Sequence, residues 1–358
     1  MKMKKVLSVF LAVLLVIGTG IVFAGAESAD TGEFTAFCQN VAGLPDISFV
    51  FGDERSNVRG NQTVIGNFVE ANSYDILAVQ EDFGYHDTLV SALPGYKYKT
   101  AHHGGVPYGD GTNIFTRAYP LYNERHIPWD TLYGIADDGA DQLSQKGITY
   151  ACVKIADNVY IDFYDIHADA YGDAGSVAAR QDNFRQLAEL INGRTVDRPV
   201  IVTGDFNAFL FNDSSLLRET LVDGCGLKDA WVEVANGGDY EDCSYYIETV
   251  GGVWTSKWGV WDSVERFMYK DGGGITLTAE EFSYVSITNS DGSAVSDHNG
   301  AYVKFSYDAS NAQEDVGSGT SVVSASFFSE LVRRIRAFFS ALRLALSNLD
   351  KVFEYFNK

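Results

Sequence analysis

The chain has 358 residues, 46% of them hydrophobic and 13% aromatic, with a formal charge of −21. That length and apolar content can bury one sizeable core with a tail to spare, which excludes a disordered or low-complexity chain. The acidity argues against tight nucleic-acid binding, which normally leaves a basic footprint.

The first element in chain order is a leader. Lys2, Lys4 and Lys5 precede an apolar run from Val6 to Val22, and Ala24-Gly25-Ala26 has the small-x-small pattern of a cleavage site. Residues 1–26 therefore read as a signal peptide and the protein as secreted. An uncleaved anchor is the alternative, since the run is nearly long enough to span a bilayer. Phe34–Cys38 and Asp75–Val79 read as buried strands, and Val58–Asn72 between them suits a helix. Ile148–Ile155 and Val159–Ile166 form two strands about the Ala156-Asp157-Asn158 turn. Ser176–Asn192 is the clearest helix: Ser176 can cap it, Phe184, Leu187, Ala188 and Ile191 share a face, and Gly193 ends it. Strands follow at Pro199–Thr203, Phe267–Tyr269, Ile275–Leu277, Phe282–Ile287 and Ala301–Tyr307. The interleaving implies an α/β or α+β fold with mixed sheets.

Cys38 and Cys152 lie in apolar runs and are expected to be buried, whereas Cys225 and Cys243 flank a loop-rich stretch and are expected to form a disulfide. No cysteine spacing resembles a zinc site. His102-His103 reads as an exposed loop pair rather than a second metal site. Trp254, Trp258 and Trp261 read as packing for a long loop, with a lipid-facing lip as the alternative. A linker over 308–324, rich in Ser, Gly and Ala, leads to a tail over 325–358. There Phe328, Leu331, Ile335, Phe338, Leu342 and Leu346 line one helical face and Arg333, Arg336 and Arg343 the other. This is a basic amphipathic helix, either touching a membrane surface or docked on its own domain.

Five segments each bring a ligand-type side chain to a strand end. "VIVTGDFNAF" ends on Asp205 and Asn207, which project together if the chain stays extended past Gly204; a plain Asp-x-Asn turn is the alternative. "YDILAVQEDF" ends on Gln80-Glu81-Asp82, and "TAFCQNVAGLP" presents Asn40. "VYIDFYDIHADA" carries Asp165 and His167 on one face with Asp169 beyond, and "VSDHNGAYVKF" sets Asp297 and His298 before a strand. Open α/β sheets carry their chemistry at such ends.

In this order the segments, with "GVPYGDGTNIFTR", "QKGITYACVKI" and "VERFMYKDGGGITLT", resemble the endonuclease/exonuclease/phosphatase superfamily over residues 34–307, and within it the secreted sphingomyelinase-like branch. The resemblance implies a four-layer αββα sandwich of two mixed β-sheets, DNase-like, with the catalytic domain over 27–307. It also implies hydrolysis of a phosphate ester with a divalent cation, usually Mg²⁺, with Mn²⁺ as an alternative. It matches Glu81 to the metal carboxylate and Asn40 to its partner, Asp205 and Asn207 to the Gly-Asp-x-Asn pair, His167 to the first histidine, and Asp297 and His298 to the closing pair. One position departs: Glu265 stands where the family carries an Asp that supports the general-base histidine, and Asp262 is a substitute candidate.

Hydrolysing a phosphodiester needs an activated water, neutralised phosphoryl oxygens and a stabilised leaving oxygen. A hard cation held by oxygens suits Glu81 with Asn40. His298 is expected as general base with Asp205 orienting it, His167 as donor to the phosphoryl group or leaving oxygen, and Asn207 as holder of a phosphoryl oxygen. The expected function is a secreted, monomeric, Mg²⁺-dependent phosphodiesterase acting on a phospholipid head group, with cell-surface contact through 325–358. A DNase-type endonuclease, a soluble phosphomonoesterase and a non-enzymatic binding module are the alternatives.

Overall fold

The computed structural model describes residues 30–44, 57–104, 109–134, 141, 145–210, 215–240, 248–250, 253–255, 263–315 and 317. The expected leader, the tail over 325–358, Trp258, Trp261, Asp262 and Cys243 lie outside them, as does the side chain of Trp254. The chain begins with β1 (Thr31–Asn40), α1 (Val58–Asn72), β2 (Ile76–Gln80), α2 (His86–Ser91), β3 (Tyr98–Lys99), β4 (Asn113–Thr116) and β5 (Leu121–Pro128). It continues with β6 (Gly147–Ala156), β7 (Val159–His167), α3 (Ala174–Asn192), β8 (Val200–Asp205), a π-helical segment (Ser215–Asp223), β9 (Lys228–Asp229) and α4 (Ala230–Asn236). The remaining strands are β10 (Glu248–Val250), β11 (Val253–Thr255), β12 (Glu265–Lys270), β13 (Thr276–Val285) and β14 (Gly300–Asp308).

Two six-stranded sheets result, ordered β13-β14-β1-β2-β4-β3 and β5-β6-β7-β8-β12-β9, with β10 and β11 pairing separately. Each sheet is mixed. β1 and β2 are parallel in the first, β7 and β8 in the second, and all other pairs in the two sheets are antiparallel. A helix separates each parallel pair in the chain, α1 in one case and α3 in the other, as a parallel connection requires.

Side-chain alternation sorts the apolar residues into three layers of core. Phe34, Ala36 and Cys38 of β1 meet Ile161 and Phe163 of β7 and Ile201 of β8 between the sheets. Phe37 of β1 and Leu77 and Val79 of β2 point the other way, onto Ile65 and Val69 of α1. Tyr164 and Ile166 of β7 and Val200 and Val202 of β8 pack on Phe184, Leu187 and Ile191 of α3. Helix, sheet, sheet and helix are thus stacked as the αββα sandwich. Among the described residues no helix is long and apolar enough to cross a membrane.

Some local expectations change. The cap of α3 is Asp173, whose Oδ1 accepts from the Gly175 and Ser176 N–H groups, while the Ser176 hydroxyl itself donates to Asp173 at 2.6 Å. The strands expected at Ile275–Leu277 and Phe282–Ile287 are one strand, β13, with a bulge between Ala279 and Glu281 that absorbs the shift in alternation. Cys38 and Cys152 are buried as expected; Cys225 is a buried free thiol contacted by the Asn192 amide at 3.8 Å. The described residues just beyond β14 are bound to the sandwich. Asp315 pairs with the buried Arg198, and Gln313 N–H donates to Gly273 O at 2.8 Å.

Candidate active site

Strand register brings the ligand-type side chains to one end of the sandwich. Asn40 closes β1 opposite Gln80, the last residue of β2, so Glu81 follows directly. His167 closes β7 opposite Asp205, the last residue of β8. The two parallel pairs therefore offer four side chains at their carboxyl ends. β12 runs antiparallel to β8 and starts at Glu265, also opposite Asp205. His298 leads into β14, whose Ala301 pairs with Cys38 of β1.

The backbone at this end is bent to fit. Gly204 has φ 134°, and a Cβ there would lie 2.0 Å from the Ile166 carbonyl oxygen, so only glycine allows β7 and β8 to approach. The chain does not stay extended beyond it. Asn207 sits at φ 49°, its N–H donates to Asp205 Oδ1 at 2.9 Å, and its side-chain amide donates to Ala168 O at 3.0 Å. The Asp-x-Asn turn and the site are thus the same object. Glu81 is also left-handed, at φ 57°, with its carbonyl accepting from Gly43 and Phe83 N–H at 3.0 and 2.9 Å. Such a conformation costs a non-glycine residue about 1–3 kcal/mol and persists because the neighbours hold it.

Six of the expected residues converge. The Asn40 amide nitrogen donates to Glu81 Oε1 at 3.2 Å and to Asp205 Oδ2 at 3.0 Å, while its oxygen accepts from Ala42 N–H at 3.0 Å. Asp205 Oδ2 lies 3.4 Å from His167 Nε2 and 3.8 Å from His298 Nδ1. Glu265 meets His298 Nδ1 at 2.5 Å and also accepts from the Ser263 hydroxyl. The longer carboxylate at this departing position thus reaches the histidine. Asp297 makes no hydrogen bond to them among the described residues; its side chain is exposed, with Ser296 Oγ at 3.5 Å, and its charge acts on Glu81 and His298. Asp165 lies on the His167 face but ties the sheets together, accepting from the Gln80 amide at 2.5 Å and Asn113 N–H at 3.2 Å. Burial pushes its carboxyl well above the usual range.

Charge within the site is unevenly shared. Burial and the neighbouring Lys146 push His167 well below the usual histidine range, and among the described residues its Nδ1 has no hydrogen-bond partner. Burial opposes the charge on His298, but Asp205 and Glu265 outweigh it and raise the imidazole to about 10. Asp205 is held low because His298, His167 and Lys146 overcome its burial. Glu81 goes the other way: burial raises it and Asp297 adds to the rise, against Lys146 and Asn40. A carboxylate so placed, next to Asp205 and bridged to it by one amide, is what a hard divalent cation would satisfy. Glu81 and Asp205 fit that cation directly. Asn40 fits as their bridge, its oxygen being taken by Ala42.

Lys146 carries no assigned role in the sequence reading. It is buried, pairs with Asp141 at 2.6 Å, and its charge reaches Asp205, Glu81 and His167. Its only signal was its place in "QKGITYACVKI". His102 and His103 are surface residues but neither is idle. His102 bonds the Asp82 carbonyl at 2.8 Å and stacks on His86, while His103 bonds Asp110 at 2.9 Å.

Residues 40–298 match the model of the endonuclease/exonuclease/phosphatase family. Among curated proteins the chain is 31% identical over 306 residues to a sphingomyelinase of Mycobacterium bovis, covering 82% of this chain and 57% of that protein. The chain therefore spans little more than half the length of that relative. Among solved structures it is similar to humanized D. rerio TDP2, with 18% identity, a TM-score of 0.55, and coverage of 76% of this chain and 98% of that one. It is also similar to a mutant beta toxin from Staphylococcus aureus with bound magnesium ions, with 12% identity, a TM-score of 0.51, and coverage of 76% and 99%. The family match begins at Asn40 and ends at His298, so it encloses the whole convergent cluster from its first residue to its last. The chain belongs to the endonuclease/exonuclease/phosphatase family.

Proposed function

We propose that the protein is a secreted, Mg²⁺-dependent phosphodiesterase that cleaves a phospholipid head group such as that of sphingomyelin. One observation carries the reading: a Glu265–His298 pair sits at the same strand ends as the Glu81–Asn40–Asp205 cluster, with His167 beside them. The sphingomyelinase name of the curated relative supports the lipid substrate, and the magnesium ions of the beta toxin structure support the cation. The acidic composition also disfavours a polyanionic substrate.

Glu81 and Asp205 would hold the cation, which when bound supplies positive charge to the phosphoryl oxygens. Glu265 orients His298 through Nδ1, leaving Nε2 to take a proton from the attacking water. In the cation-free protein His298 is charged at neutral pH, because Asp205 and Glu265 hold its proton. A cation held by Asp205 would offset that carboxylate's share of the pull and so ease release of the His298 proton, while Glu265 keeps the ring oriented. His167, kept neutral by burial and Lys146, donates to the phosphoryl group or the leaving oxygen, and Asn207 contacts a phosphoryl oxygen without adding repulsive charge. Water attacks in line with the leaving oxygen, and most of the acceleration comes from positioning and electrostatics.

The substrate is tested by measuring choline-phosphate release from sphingomyelin vesicles, and plasmid nicking in parallel, each with Mg²⁺ and with chelator. Mg²⁺-dependent release without nicking is expected; nicking without release makes the protein a nuclease. Glu265→Gln removes the charge that holds His298 and is expected to lower kcat about 10²–10⁴-fold with little change in KM. Wild-type turnover in that variant refutes the pairing.

The pH dependence follows from His298. Its pKa is raised on folding, from about 6.5 in the unfolded chain to about 10. Its contribution to stability is fully present below pH ~6.5 and is lost as pH rises through ~10. Thermal melts of chelator-treated protein should therefore show a midpoint that falls over this window, and Glu265→Gln should flatten that fall.

The tail over 325–358 is proposed to bind membrane surfaces through its basic amphipathic sequence. Binding to anionic liposomes should vanish on deleting it, and unchanged binding removes the proposal.

A further inference from the structure

We infer that His103, Asp110 and His126 form a second metal site, suited to a borderline divalent ion of the zinc type and separate from the oxygen-rich catalytic end. His103 follows β3 and Asp110 precedes β4, both at the edge of the first sheet, while His126 lies on β5 at the edge of the second. Three ligand atoms meet there: Nδ1 of His103 and Nδ1 of His126 each lie 2.9 Å from Asp110 Oδ2.

The surrounding hydrogen bonds select those atoms as ligands. His126 Nε2 lies 3.1 Å from the Ala101 carbonyl, an acceptor only, so this nitrogen carries the proton. Glu124 Oε1, 3.4 Å from the same nitrogen, reinforces that choice. Nδ1 is left facing Asp110 Oδ2, where a bound cation would replace the proton that otherwise bridges the two. Asp110 is arranged in the same sense. Its Oδ1 accepts from Thr112 N–H at 3.0 Å and Thr112 Oγ1 at 3.1 Å, leaving buried Oδ2 to the two imidazoles. Thr149 Oγ1, 3.0 Å from His126 Nδ1, places one more oxygen beside the cluster. Metal-binding histidines typically donate their remote N–H to a carbonyl or carboxylate in this way.

Two imidazole nitrogens and one carboxylate oxygen favour zinc-type ions over magnesium, which prefers oxygen. Tetrahedral bonds of about 2.0–2.2 Å put neighbouring ligand atoms roughly 3.3 Å apart. Each Nδ1–Oδ2 distance needs to open by only a few tenths of an ångström to admit an ion, and all three atoms lie within 4.8 Å of one another. The ion would clip the edge strand of the second sheet to the loop of the first. Its role is therefore structural, and stability is the readout.

The test uses the full chain, stripped with chelator and returned to saturating Mg²⁺ so that the catalytic end is filled. Co(II) is added and followed by visible absorption, then displaced with Zn(II). The expected result is one equivalent of Co(II) with the absorption of a nitrogen-ligated, low-coordinate ion, and a thermal midpoint raised by Zn(II). His103→Gln and His126→Gln should each weaken uptake about 100-fold or more, since even indirect supports of a metal site are worth 10–100-fold. The His103 side chain is 43% exposed, so that variant should fold, which its metal-free melt checks. Absence of the Co(II) spectrum, wild-type affinity in both variants, or loss of uptake in His298→Ala with retention in His103→Gln would overturn the proposal.

Discussion

His298→Ala is expected to lower turnover by about 10²–10⁴-fold, the usual contribution of a positioned general base. The ring is held from several directions. Nδ1 is bound by Glu265, the backbone N–H donates to Ser296 Oγ at 3.1 Å, and the backbone carbonyl accepts from the Gln39 amide at 3.2 Å. Alanine keeps the backbone contacts and removes only the proton carrier. The loss should fall on kcat, with substrate KM nearly unchanged, because the imidazole acts on the attacking water rather than on the head group. Glu265 loses its partner in this variant but keeps the Ser263 hydroxyl, so a modest fall in melting temperature accompanies the catalytic loss. Steady-state kinetics with sphingomyelin vesicles and saturating Mg²⁺ make the check. Turnover within a factor of a few of wild type would remove His298 from the mechanism.

Asp229→Ala should produce the largest loss of stability of any single change considered. Asp229 Oδ2 pairs with Arg266 Nη1 at 2.6 Å, and both side chains are buried. Removing one member of a buried ion pair typically costs about 3–5 kcal/mol. Asp229 also caps α4, its Oδ1 accepting from Trp231 and Val232 N–H at 2.9 and 3.3 Å, and losing a cap costs about 1 kcal/mol more. Urea unfolding should show a correspondingly lower midpoint, or no folded protein at 37 °C. Asp229→Asn keeps a capping oxygen and should lose less. Arg266 adjoins Glu265 on β12, so the same loss should loosen the catalytic end, seen as faster hydrogen exchange along β12. An unchanged unfolding midpoint in Asp229→Ala would show that the pair carries no net stability.

The strands and their ends were legible in the sequence because alternation, apolar runs and turn residues are local properties. Asn40, Glu81, His167, Asp205 and His298 stood out for the same reason: each closes or opens a run that must be buried. The helix cap at Asp173 and the single bulged strand β13 were less legible. One depends on which of two neighbouring oxygens reaches the free N–H groups, the other on pairing with β14. Asp297 was matched with His298 through the closing Asp-His of the family resemblance; its carboxylate is exposed and acts on Glu81 and His298 through its charge.

The sequence by itself determined which residues could end up at strand termini, because burying an extended apolar segment dictates where it may stop. Tertiary structure alone decided what those residues touch: that Glu265 reaches His298, that Lys146 lies buried among the site's charges, and that His103 and His126 share one carboxylate. Those contacts join residues from separate strands and both sheets. Their distances depend on how the sheets stack, which no local pattern encodes.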